Sequence, residues 1–135
     1  MTFAGSVDTN VLVRYLVKDD EHQSAIVAKA FEGIFRRAES LLVPVTVMLE
    51  FEWVLRSRYK FPKTEVIRAM SALLDTWELE FESEWAIEQA LVNYEEGGAD
   101  FAEYLHLALA RKQHALPFFT FDVKASKASG ARLLI

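Results

Sequence analysis

The chain has no cysteine, which excludes disulfides, a thiolate metal site and a cysteine nucleophile, and leaves the redox compartment open. Its three histidines, His22, His106 and His114, are scattered. No HExxH, HxH or CxxC spacing occurs among its residues, so nothing supports a zinc site. GxGxxG and GxxxxGK[ST] are also absent, which removes support for dinucleotide and P-loop readings. No apolar run approaches the roughly 20 residues that span a bilayer. The opening MTFAGSVDTN has neither a basic start nor a long apolar stretch, so the expectation is a protein without signal peptide or membrane contact, working in the cytoplasm. With only three prolines and five glycines, no linker, repeat or low-complexity tract breaks the chain, and residues 1–135 are expected to form a single domain.

What is present describes an ordinary globular protein. Of 135 residues, 52% are hydrophobic and 26% charged, enough to bury a core. The net charge of −5 looks wrong for a nucleic-acid partner. The total hides the distribution. Four acids stand apart from the rest: Asp8 in VDTN, Glu50 in MLEFEW, Asp100 in GGADF and Asp122 in TFD. Of 20 Asp and Glu, setting these four aside leaves 16 against 15 Lys and Arg, a net of −1. A nuclease that meets phosphate through divalent metal tolerates an acidic balance. A protein that grips duplexes through a broad basic face does not.

The pattern alternates. Phe3 to Val7 reads as a strand, followed by the helix starters Asp8, Thr9 and Asn10 and a helix over Val11 to Leu16. Glu21 to Arg37 reads as an amphipathic helix with Ile26, Ala30 and Ile34 on its inner face. Leu41 to Val43 is a brief strand, after which Thr46 is expected to cap a helix running to about Tyr59. A helix from Pro62 to near Asp75, an edge strand at Leu79 to Phe81 and a helix from Ser83 to about Tyr94 follow, the last broken by Gly97 and Gly98. Asp100 to His114 is helical, and strands are expected at Phe118 to Phe121 and Arg132 to Ile135. Trp53, Trp77 and Trp85 are read as core aromatics. The alternation predicts an α/β sandwich with a mostly parallel central sheet.

In such sheets, sites form beyond the carboxyl ends of the strands. Asp8 and Asp122 each follow a strand, Glu50 lies about one turn into the helix after Leu41–Val43, and Asp100 opens the helix before the Asp122 strand. Carboxylates gathered without Lys or Arg repel one another unless a hard cation sits among them, the logic of a Mg²⁺ or Mn²⁺ site for cutting phosphodiesters. Taken singly, each acid has a plainer explanation. Asp8 suits an N-cap, Asp100 with Glu103 matches a capping-box spacing, and Asp122 suits a turn. Glu50 and Glu52 lie about 200° apart around a helix, so both cannot face one centre, and the local residues do not say which faces solvent. The conjunction carries the argument. Thr9, Asn10 and Thr120 add small polar groups beside two of the acids, suited to orienting ligands. Arg14 and Lys124 lie near the expected site and are candidates for guiding phosphate.

The segments DTNVLVRYLVKDD, VPVTVMLEFEWVLRSRY, GGADFAEYLHLALA and FFTFD resemble the PIN-domain ribonucleases, and most of all the VapC-type toxins of bacterial toxin–antitoxin pairs. The likeness covers essentially the whole chain, in order. It implies a PIN-like three-layer α/β/α sandwich and an acidic quartet of Asp8, Glu50, Asp100 and Asp122 binding Mg²⁺ or Mn²⁺. It implies that the acid after Leu49 is the ligand, whereas the place of Glu52 is usually apolar. Glu103 falls where many relatives carry Asp, and either reaches metal or caps its helix. The resemblance further implies cleavage of structured RNA such as tRNA, a small VapB-type antitoxin as partner, contact with DNA only through that antitoxin, and a homodimer. Two rival functions fit the pattern less well. A receiver-like phosphoacceptor domain needs adjacent acids after its first strand, and VDTN supplies one. A non-catalytic PIN-like interaction module needs no quartet, yet the quartet is complete.

Overall fold

The structure, a computed structural model, describes residues 2–135. The chain divides into two compact units, Met1–Glu82 and Ser83–Ile135.

In the first unit, β1 (Phe3–Ser6) leads through α1 (Thr9–Leu16) and α2 (Glu21–Arg36) to β2 (Ser40–Val43). From there α3 (Val45–Ser57) and α4 (Lys63–Leu74) lead to β3 (Leu79–Phe81). The strands pair in parallel in the order β1-β2-β3, leaving β3 at an edge as expected. Parallel pairing follows from the helical crossovers, since each strand returns in the same direction after a helix pair. Leu41 and Val43 of β2, Leu12 and Val13 of α1, Met48, Phe51 and Leu55 of α3, and Val66, Met70 and Leu73 of α4 form the buried core.

Three sequence expectations are corrected here. The inner face of α2 is not Ile26, Ala30 and Ile34: Ile26 is exposed, and Phe31 is the buried anchor. The Phe31 ring lies 4.6 Å from that of Tyr15 and 5.5 Å from that of Phe35. An aromatic cluster of this kind buries more apolar area than an Ile–Ala stripe, and it sets the helix rotation. Thr46 does not cap α3. The helix starts one residue earlier, Pro44 occupies the cap position without a side-chain bond, and the Val45 N–H donates to Glu82 Oε1 at 2.9 Å. A free helix N-terminus accepts a carboxylate from any part of the chain that reaches it. Trp53, Trp77 and Trp85 are exposed rather than core. On α3 the buried side is already filled by Met48, Phe51, Glu52 and Leu55, so Trp53 falls on the opposite face.

In the second unit, α5 (Glu84–Glu96) and α6 (Phe101–Lys112) pack together. The small residues Ala86, Ala90 and Ala108 are buried alongside Ile87, Tyr94, Phe101, Tyr104 and Leu105. Helix α6 stops at Lys112, two residues short of the expected end, and His114 takes a left-handed φ of 58°. Strands β4 (Phe118–Thr120) and β5 (Ala131–Leu133) pair in parallel around α7 (Val123–Ser126), a one-turn helix too short to show a period in the sequence. Gly130 closes this turn at φ +92°, where a side chain would be strained and would press on Arg111 and Leu116. Arg111 Nη2 donates to the Ser129 carbonyl at 2.8 Å, tying α6 to the same turn.

Candidate active site

Asp8 and Asp122 are built alike. Each lies two residues beyond the end of a parallel strand and occupies the N-cap of the next helix. Asp8 Oδ1 accepts from the Val11 N–H at 3.0 Å, and Asp122 Oδ1 accepts from the Ala125 N–H at 2.8 Å. One carboxylate oxygen is thus spent on a helix start, and neither capping bond uses Oδ2. A capping role and a ligand role are therefore compatible in the same side chain. The Thr120 hydroxyl accepts the Asp122 N–H at 2.9 Å, which fixes the strand-to-helix turn that presents the acid.

In the first unit, the Thr9 hydroxyl donates to Glu50 Oε1 at 3.2 Å across 41 positions of sequence. This bond brings the Asp8 segment and the exposed side of α3 together. Asn10 is exposed on the first turn of α1. Glu52 faces the other way. Its side chain is 2% exposed and is held by Arg56, with Nε to Oε2 at 2.8 Å and Nη2 to Oε1 at 3.4 Å. A charged residue where an apolar one is usual is accommodated by a bidentate guanidinium one turn along the same helix. Arg14 is also engaged. It bonds Gln23 through Nε at 2.5 Å, and Asp19 at 3.1 Å and the Tyr59 hydroxyl at 2.9 Å through Nη1. The Tyr59 bond, aided by the charges of Asp19 and Asp20, outweighs desolvation and holds the guanidinium above its ordinary pKa.

In the second unit, Asp100 and Asp122 line one cleft of about 370 Å³ together with Gly98 and Lys124. Asp100 stands at the N-cap of α6, yet its carboxylate makes no capping bond. The capping-box reading of Asp100 and Glu103 is not realised: the Glu103 N–H donates to the Asp100 backbone carbonyl at 3.1 Å instead. The Asp100 turn is held by Tyr104, a residue the sequence reading passed over. Its buried hydroxyl accepts the Ala99 N–H at 3.1 Å, and a side chain at Gly97 would collide with it. The signal was available in GGADFAEY, where a Tyr four residues after a helix-starting acid can fold back on the turn before it. His106 is exposed on α6, its ring 6.3 Å from that of Phe118, a surface packing role.

The unit to Glu82 therefore presents Asp8 and Glu50, and the unit from Ser83 presents Asp100 and Asp122. Within neither unit do three or more His, Cys, Asp or Glu gather as a metal-holding group among the described residues. The donor set itself fits a hard divalent cation. Asp19, Glu32, Glu39, Glu52 and Glu65 are each paired with an arginine, whereas Asp8, Glu50, Asp100 and Asp122, like most of the remaining acids, enter no ion pair among the described residues. Oxygen ligands left without a basic partner suit Mg²⁺ or Mn²⁺. No helix is long and apolar enough to cross a membrane among the described residues.

The PIN domain family matches residues 6–131 of the chain. A VapC ribonuclease of Aquifex aeolicus (strain VF5) is 26% identical over 121 residues, covering 90% of this chain and 89% of that protein. Among solved structures, the sarcin-ricin loop cleaving toxin VapC20 of Mycobacterium tuberculosis is similar at a TM-score of 0.42 and 18% identity, over 94% of this chain and 96% of that one.

Proposed function

The chain belongs to the PIN-domain family, and from that premise we propose that it is a metal-dependent ribonuclease and the toxin of a VapBC-type pair. One observation carries the catalytic part of this reading. Asp100 and Asp122 line one cleft and enter no ion pair among the described residues, and the Asp100 carboxylate makes no capping bond that would account for it there. Uncompensated carboxylates lower stability, and that cost is expected where function needs them. The family match spans both units, which supports reading residues 1–135 as one domain.

Asp8, Glu50, Asp100 and Asp122 are the residues that would hold Mg²⁺ or Mn²⁺. When bound, the ion supplies Lewis acidity, acidifying water and offsetting charge on the scissile phosphate and leaving oxygen. The protein's own groups do the positioning. Thr9 orients Glu50 by its hydroxyl, the helix starts at α1 and α7 fix the Asp8 and Asp122 carboxylates, and Thr120 sets the turn before Asp122. Lys124, lining the cleft of Asp100 and Asp122, offers a cation to phosphate. Arg14, tied to Gln23, Asp19 and Tyr59, serves to brace α1. Structured RNA such as tRNA is the substrate, and the cytoplasm the place of action. Purified protein should cleave RNA in Mg²⁺ or Mn²⁺ and should stop in EDTA; full activity in excess chelator would overturn the metal mechanism.

Melting curves test the quartet without an activity assay. Asp100 and Asp122 line one cleft, and the Asp100 carboxylate caps nothing. Asp100→Asn should leave the metal-free protein as stable or more stable, by about 1 kcal/mol, because like charges in a confined site repel. Metal should stabilise the wild type by about 2.7 kcal/mol at a hundredfold excess over its dissociation constant, and the variant much less. A wild type whose melting temperature ignores Mn²⁺, beside a destabilised Asp100→Asn, would make Asp100 a helix-start residue only.

The partner is proposed to be a small VapB-type antitoxin, with the toxin a homodimer. A groove on α2 and α4 for such a partner would draw on Phe31, Phe35, Ile67 and Met70, of which Phe31 and Met70 are core, at 4% and 0% exposure. Phe35 and Ile67 remain half-buried, Phe35 beside Tyr15, Ala28 and Arg36 in a depression of about 460 Å³. Phe35→Asp should weaken antitoxin capture with little change in melting temperature, whereas Met70→Asp should unfold the protein by burying an unpaired charge. Equal capture by wild type and Phe35→Asp would remove this face from the antitoxin interface.

A further inference from the structure

Asp100 differs from Asp8 and Asp122 in how it is held. All three stand at helix N-caps, and the carboxylates of Asp8 and Asp122 are oriented by the backbone N–H that each accepts. The Asp100 carboxylate accepts no such bond. Its backbone is gripped instead by one residue, on either side of it along the chain. The Tyr104 N–H donates to the Asp100 carbonyl at 3.5 Å, and the Tyr104 hydroxyl accepts the Ala99 N–H at 3.1 Å. Ala99 and Tyr104 are 5% and 3% exposed, so this buried N–H depends on the hydroxyl for its partner. Gly97 is fitted to the same group. Its φ of −103° and ψ of 178° are open to any residue, so the backbone does not call for glycine there. A side chain would instead collide with the Tyr104 hydroxyl and stand 2.9 Å from its Cζ. Gly98, next along this turn, lines the cleft of Asp100 and Asp122.

We infer that Tyr104 is the positioning residue for Asp100: its hydroxyl takes the place of a capping bond, fixing the turn while leaving both carboxylate oxygens for a divalent cation. The inference rests on the metal-dependent ribonuclease reading and adds a residue to it. The physics is a competition for one carboxylate. An aspartate at an N-cap gains by accepting from the second or third N–H of its helix, here those of Ala102 and Glu103. A carboxylate spent in that way offers one oxygen rather than two. With the Ala99 N–H held, the turn keeps Asp100 in the conformation that caps nothing. Tyr104→Phe keeps the ring and removes only the hydroxyl. The buried Ala99 N–H then lacks an acceptor, the turn relaxes, and Asp100 rotates to cap its own helix. The cap gained offsets part of the bond lost, so the variant loses metal affinity more than stability.

Calorimetric titration with Mn²⁺ and amide hydrogen exchange test it, on the full chain without RNA. Tyr104→Phe should weaken Mn²⁺ binding about tenfold, the usual effect of losing a group that orients a ligand. The Ala99 amide should exchange slowly in the metal-free wild type and fast in the metal-free variant. In an Asp100→Asn background, Tyr104→Phe should change Mn²⁺ affinity by less than about twofold, because the ligand it positions is already gone. Gly97→Ala should act as Tyr104→Phe does, since both displace the hydroxyl. Ile87→Val, a change in the buried face of α5, should lower the melting temperature and leave Mn²⁺ affinity alone. Wild-type Mn²⁺ affinity in Tyr104→Phe overturns the inference, whatever happens to the melting temperature, as does a full tenfold effect in the Asp100→Asn background. Tyr104-dependent Mn²⁺ binding in a protein that never cleaves RNA upholds the positioning role and fails the ribonuclease reading. Equal Mn²⁺-dependent cleavage by wild type and Tyr104→Phe does the reverse, and a wild type that binds no Mn²⁺ overturns both.

Discussion

Asp8→Asn is expected to lower RNA cleavage by several hundred-fold while leaving the fold intact. In the proposed quartet it is the charge of Asp8 that serves the metal. Asparagine keeps the shape and one oxygen but loses the negative charge that a hard cation requires. A loss of that size corresponds to about 3.5 kcal/mol of transition-state stabilisation, at 1.36 kcal/mol per tenfold. The stability arm follows from the geometry. Asp8 Oδ1 accepts the Val11 N–H at 3.0 Å, and asparagine is as good a helix cap as aspartate. The melting temperature of Asp8→Asn should therefore match that of the wild type without metal. Asp8→Ala, which loses both charge and cap, should cost about 1 kcal/mol more in stability. Undiminished cleavage by Asp8→Asn removes Asp8 from the quartet, whatever the fold does.

Glu50→Gln and Glu52→Gln are expected to give opposite phenotypes from the same chemical change. Glu50 is exposed and accepts from Thr9, so its amide variant should abolish cleavage and leave stability nearly unchanged. Glu52 is 2% exposed and bound to Arg56, so its amide variant should keep most of the activity and lose stability. Breaking a buried pair costs several kcal/mol, but Arg56 is 39% exposed and water can take up its charge. The expected loss is therefore about 2 kcal/mol, and Arg56→Ala should produce a comparable one. Parallel measurement of cleavage rate and denaturant midpoint separates the cases. A dead but stable Glu52→Gln would show that α3 presents its other face to the substrate.

The sequence by itself determined the alternation of strands and helices, the parallel sense of pairing and the strand-end positions of Asp8 and Asp122. These are legible because their causes are local. A helix cap bonds three residues ahead, as Asp8 does to Val11 and Asp122 to Ala125, and periodicity is written in neighbours. The tertiary structure alone decided which glutamate faces outward, because the Thr9–Glu50 bond spans 41 positions. It alone gave α3 its start from Glu82, 37 positions away from Val45. It turned α2 onto Phe31 rather than Ile26 and left the three tryptophans exposed. In each case the deciding partner lies far along the chain or on a face chosen by packing. Local residues specify that a helix forms, but which of its sides is buried depends on area contributed by elements elsewhere in the sequence.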